Sequence, residues 1–123
     1  EALTTDHFQH SGSGVEERQH IFVKDVVNAS INVANSQYKN KKVILLGSES
    51  VRISQLMEMI SSQLEKDIYK IFKKDGYGIH YKSSPFQTDP DGAIYYKLES
   101  PTPLKDGLRE TIKFIQEELS NQS

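Results

Sequence analysis

The chain has 123 residues, with 15 Lys and Arg against 17 Asp and Glu, a net charge of −2 and no cysteine. That length suits one domain with a modest core, and the missing cysteine excludes disulfides, thiolate metal sites and a cysteine nucleophile. The balanced charge argues against nucleic-acid binding, and apolar runs such as 43–46 are too short to cross a bilayer.

Residues 1–10 mix polar side chains without periodicity and read as a flexible lead-in, with Gly12-Ser13-Gly14 as a turn. Residues 21–23 form a short strand candidate. Apolar side chains at Val26, Val27, Ala29, Ile31, Val33 and Ala34 then predict a helix over 24–35. Asp25 in its first turn suits the positive end of the helix dipole. A basic polar loop leads to a buried strand at 43–46, ending at Gly47, and residues 48–52 turn the chain. Ile53, Leu56, Met57, Ile60 and Leu64 predict a second amphipathic helix over 53–65, capped by Ser50 or Ser54.

Residues 68–72 read as a strand. The stretch 73–91 is the least regular, with a possible short strand at 79–81, and 93–98 reads equally as strand or helical turn. Leu104, Leu108, Thr111, Ile112, Ile115 and Leu119 then set the inner face of a last helix over 102–119. Thr102 is its expected N-cap, with Pro103 at the first helical position. Residues 120–123 are a tail. The sum is a small mixed α/β domain, 11–119, with about three helices and short strands.

Arg18 stands between the glycine turn and the first strand candidate, where a guanidinium presents a rigid fork of donors to a diphosphate. The plainer alternative is a surface arginine pairing with Glu16 or Glu17. His7 and His10 have no third ligand placed by sequence, so no metal site is expected. Asp89-Pro90-Asp91-Gly92 reads as a turn, because it is too poor in oxygen ligands for a calcium loop. The triplet Asn28-Ala29-Ser30 lies inside a helix and is discounted as a glycosylation site. Tyr69 and Lys73 have the Tyr-x-x-x-Lys spacing, but on a strand they stand roughly 13 Å apart and cannot act as one unit. No Gly-x-x-Gly-x-x-Gly follows a first strand, so no dinucleotide cradle is present. No catalytic residue is assigned.

The run Gly12-Ser-Gly14 through Arg18-Gln-His-Ile-Phe-Val-Lys-Asp25-Val resembles a block of the extended short-chain dehydrogenase/reductase family, the NAD-dependent nucleotide-sugar epimerases and dehydratases. Two later blocks extend the resemblance over about 11–115. One is the 43–56 strand and loop; the other is Pro101-Thr-Pro-Leu-Lys-Asp-Gly107-Leu. Gln19, His20 and Phe22 depart from the family pattern. The resemblance implies the C-terminal, substrate-binding subdomain of such an enzyme, without its Rossmann half. Arg18 then holds a phosphate of a nucleotide-diphosphate sugar, and Asp25 keeps a structural role. The place of a second family arginine is taken by Lys73 or Lys74, which otherwise belong to a solvated basic loop. The implied parent uses NAD or NADP, the chain itself binding no cofactor and being inactive alone. Its implied setting is cytoplasmic, and the lost Rossmann partner leaves apolar surface that favours self-association. A second hypothesis is a non-catalytic protein-interaction module that keeps the scaffold but has lost the sugar site. Nucleic-acid binding through the lysines of 39–42 and 70–74 ranks below both.

Overall fold

The computed structural model describes residues 2–35, 37–38, 40–73 and 92–122. The chain runs β1 (His7–Ser11), β2 (Glu17–His20), α1 (Val23–Ala34), β3 (Lys42–Leu45), β4 (Glu49–Arg52), α2 (Ile53–Leu64), β5 (Tyr69–Lys73), β6 (Ala93–Tyr96) and α3 (Leu104–Asn121). This is the small mixed α/β domain with three helices and short strands that the periodicities predict. The strands pair two by two: β1 with β5 in parallel, β2 with β4 antiparallel, and β3 with β6 in parallel.

The core is a small cluster of Ala2, Phe8, Met57 and Ile68, with Ile53, Ile60 and Leu64 of α2 packed against it. Met57 lies at the centre of the apolar row of α2, as the helical spacing requires. Part of the lead-in, His7–Ser11, is therefore a paired strand, which its composition does not suggest. Phe8 alternates inward on β1, and β5 supplies the hydrogen-bonding partner that an isolated polar strand lacks. Local composition cannot register a partner some sixty residues away.

Three further expectations are corrected. The strand expected at 21–23 falls at Glu17–His20 instead, and Val23 already opens α1. Pairing with β4 draws the polar segment into the ladder. Residues 49–52, read as a turn, are β4 itself. Neither Ser50 nor Ser54 caps α2; the N–H groups of Ile53 and Ser54 donate to the carbonyls of Glu16 (3.0 Å) and Gly14 (2.9 Å). The Gln55 side chain accepts from the Arg52 N–H at 3.0 Å, satisfying one more donor at that helix start.

The segment 93–98, undecided from sequence, holds β6, and β5 carries Tyr69 and Lys73 at its two ends, as the strand reading requires. His7 and His10 differ in parity on β1 and so point to opposite faces. Among the described residues no group of three or more His, Cys, Asp or Glu is placed to hold a metal. None of their helices is long and apolar enough to cross a membrane. The strand considered at 79–81 and the Asp89-Pro90-Asp91 turn lie outside the described residues.

Because Phe8 joins β1 to the face of α2, Phe8→Ala is expected to lower the unfolding free energy by about 3 kcal/mol. Urea denaturation followed by circular dichroism measures this; a loss under about 1 kcal/mol is too small for a core position.

Candidate functional site

The glycine turn is built around one side chain. Gly12 and Gly14 take φ of +152° and +81°, conformations that side chains rarely adopt. The Glu16 carboxylate fills the turn. Oε1 accepts the Ser13 N–H at 2.8 Å and the Ser13 hydroxyl at 3.1 Å, while Oε2 accepts the Gly14 N–H at 2.8 Å. His10 Nε2 stands 3.5 Å from Oε2, and the His10 ring meets Phe72 edge-on. A Cβ on Gly12 would lie 2.6 Å from Glu16 Oε1, so the acid and the glycine require each other.

Glu16 is the one buried charged side chain among the described residues, at 5% exposure. Burial is the largest influence on its acidity and opposes the charge. The hydrogen bonds from the main chain of Ser13, Glu16 and Gly14 and from the Ser13 hydroxyl together outweigh it. They lower its pKa from an ordinary 4.5 to about 2.

Arg18 follows on β2, opposite Val51 of β4. Its Nη1 donates to the Glu17 carbonyl at 2.8 Å. Of the two acids weighed as its surface partner, Glu16 has its carboxylate engaged by the turn. Lys73 closes β5, and its carbonyl accepts the Gly12 N–H at 2.9 Å, while the Phe72 ring packs beneath Gly14. The turn thus touches the end of the strand bearing Lys73 and leads directly into the strand bearing Arg18. Lys74 lies outside the described residues. Lys70, from the same basic run, is paired with Glu58 at 2.9 Å.

Beyond Arg18 on the same face comes His20, which borders a cavity of about 330 Å³ between the starts of α1 and α3. Phe22, Val23, Ser48 and Leu104 share that wall. The His20 Nε2 is buried without a hydrogen-bond partner among the described residues. Burial lowers its pKa, and the charge of Glu49 across the ladder partly offsets this.

Two more carboxylates fix the cavity's rim. Asp25 accepts from the Thr102 N–H (2.7 Å) and the Thr102 hydroxyl (2.9 Å). Glu49 accepts from the Leu104 N–H at 2.7 Å. Asp25 is structural, as expected, but it reaches across to α3 rather than capping its own helix. Thr102 is not the N-cap of α3; that position falls on Pro103, and Glu49 satisfies the first free N–H instead. Gly107 packs closely against the Phe22 ring, where a Cβ would lie 3.0 Å from the ring. The sequence offers no periodic cue for Glu16 or Glu49; an acid shortly after a positive-φ glycine turn is the one local hint.

The donor set does not suit a dinucleotide pyrophosphate. Such a group needs free N–H groups at a glycine turn, and those of Ser13 and Gly14 are taken by Glu16.

The small mixed α/β fold recurs within a larger enzyme. The chain superposes on a GDP-L-fucose synthetase from Naegleria fowleri with a TM-score of 0.67 and 20% identity, over 93% of this chain and 35% of that one. It thus spans about a third of that enzyme's length, and at this identity the likeness establishes the fold alone. No protein-family model matches the chain, and no curated protein matches its sequence.

The lowered pKa of Glu16 fixes a pH window. A carboxylate more acidic in the folded state stabilises the fold above pH 4.5, and that contribution is lost as pH falls through about 2. The stability difference between the native protein and Glu16→Gln is therefore expected to shrink steadily over this interval. Denaturant titrations of both proteins at stepped pH test it; a constant difference would show that the charge of Glu16 does not hold the turn.

Proposed function

We propose that this chain is the nucleotide-sugar-binding portion of an NAD(P)-dependent epimerase, dehydratase or related reductase of the extended short-chain dehydrogenase/reductase class. The observation that carries the reading is the placement of Arg18. It lies on a strand entered directly from the glycine turn, and Lys73, at the end of β5, accepts a main-chain hydrogen bond from the same turn. The order of turn, arginine and helix is the one that family uses for a nucleotide diphosphate. The overlap with a GDP-L-fucose synthetase supports the same scaffold.

Arg18 supplies the guanidinium fork for a phosphate, and Lys73, joined by Lys74, a point charge. Hydride transfer and proton abstraction belong to residues outside this chain, as does the nicotinamide cofactor. The partner is an N-terminal Rossmann domain that closes over the nucleotide-sugar, and the setting is cytoplasmic.

A second reading, a non-catalytic interaction module, is favoured by the exposed apolar row of α1. Val23, Val27 and Ile31 are 65%, 51% and 53% exposed at a four-residue spacing. Under the first reading the same row faces the Rossmann partner. Either way, uncovered apolar surface favours association, and gel filtration at rising concentration is expected to show species larger than 14.0 kDa. A clean monomer throughout would count against it.

The substrate reading is tested by titrating the protein with GDP-L-fucose, and with UDP- and dTDP-sugars, under NMR detection. Saturable shifts centred on Arg18 are expected for at least one of them. Arg18→Ala should weaken that binding by about tenfold or more. Shifts unaffected by the substitution would remove Arg18 from the site, and no shifts at millimolar ligand would favour the interaction module.

A further inference from the structure

The end of β1, the start of α2 and the end of β5 meet at one glycine turn, and that turn is filled by one carboxylate. The Glu16 side chain holds the Ser13 and Gly14 N–H groups, and its main-chain carbonyl accepts from Ile53 at the start of α2. Through Gly12 the same turn is bonded to the Lys73 carbonyl at 2.9 Å. Burial of Glu16 also sets the alternation that follows. Glu16, Arg18 and His20 turn toward the domain, while Glu17 and Gln19 turn to solvent. A turn shifted by one residue would reverse that alternation and carry Arg18 to the other face.

The geometry points to Glu16 as a positioning residue for the anion site: its buried carboxylate fixes the relation between the Arg18 and Lys73 strands, and it fills the glycine turn that a ligand phosphate would otherwise enter. The inference rests on the Arg18 reading of the preceding subsection. Its consequence is a division of labour. The backbone N–H groups serve an internal anion, and the ligand's phosphates are gripped by side chains alone. This differs from a phosphate-cradling glycine loop, in which the same N–H groups face the ligand.

The test compares the full chain with Glu16→Gln, Arg18→Ala and the double variant. In Glu16→Gln an amide NH₂ faces main-chain N–H groups, so the turn loosens while size is kept. One readout needs no ligand: the side-chain Nε–H signal of Arg18 in ¹⁵N NMR. It is expected to move, with a lower order parameter, in Glu16→Gln. The second readout is the affinity for GDP-L-fucose in the folded protein. Glu16→Gln should weaken it about tenfold, and the double variant should bind no more weakly than Arg18→Ala alone.

An unmoved Arg18 signal, or losses that simply add in the double variant, would overturn the proposal. If the native protein binds no GDP-L-fucose, the substrate reading loses its support, and the Arg18 signal still decides whether Glu16 positions it. Should Glu16→Gln fail to fold, Ser13→Ala removes one hydrogen bond to the same carboxylate. A smaller displacement of the Arg18 signal in that variant supports the proposal, and none overturns it.

Discussion

A charge held inside a glycine turn organises this domain. Removing a carboxylate from water is costly, and Glu16 stays ionised only because main-chain N–H groups and a serine hydroxyl converge on it. Two of those donors belong to Ser13, which is held between Gly12 and Gly14, both at positive φ. Once the turn is fixed, its outward-facing carbonyls receive the first N–H groups of α2, and its Gly12 N–H extends the β1–β5 pairing. The strand carrying Arg18, the helix carrying Met57 and the strand carrying Lys73 therefore share one anchor.

The same device recurs at the other end of β2. Asp25 and Glu49 spend their carboxylates on the main chain around Thr102 and Leu104, tying the start of α3 to α1 and β4. Charge-assisted hydrogen bonds are stronger than neutral ones, and they suit a domain in which few apolar side chains are buried among the described residues. Helix positions that a larger core would set by packing are set here by acids reaching N–H groups. Phe22 against Gly107 adds a close ring contact at that corner.

This economy leaves apolar surface in the open. The row of Val23, Val27 and Ile31 on α1 and the outer part of α3, where Phe114 is 62% exposed, face solvent. Ile115 and Leu119, expected on the inner face, line a groove with Leu3 and Phe8 but stay only partly covered. Parallel strand pairs are ordinarily covered on both faces, and two of the three pairs here are parallel.

The helices were legible in the sequence because their signal is local. A repeat of 3.6 residues names the buried face of α2 regardless of what packs on it, and Met57 falls where that repeat puts it. Arg18 was legible as a candidate because its neighbours in sequence, a glycine turn and a helix start, are also its neighbours in space. The apolar strands β3 and β5 announced themselves by composition. The polar strands β1, β2 and β4 did not, since their cross-strand partners come from distant segments and supply the hydrogen bonds that make them strands. The roles of Glu16, Asp25 and Glu49 were equally a matter of tertiary structure. A carboxylate's type and position are written in the chain, but whether it meets solvent, a lysine or a main-chain N–H depends on which segments fold around it.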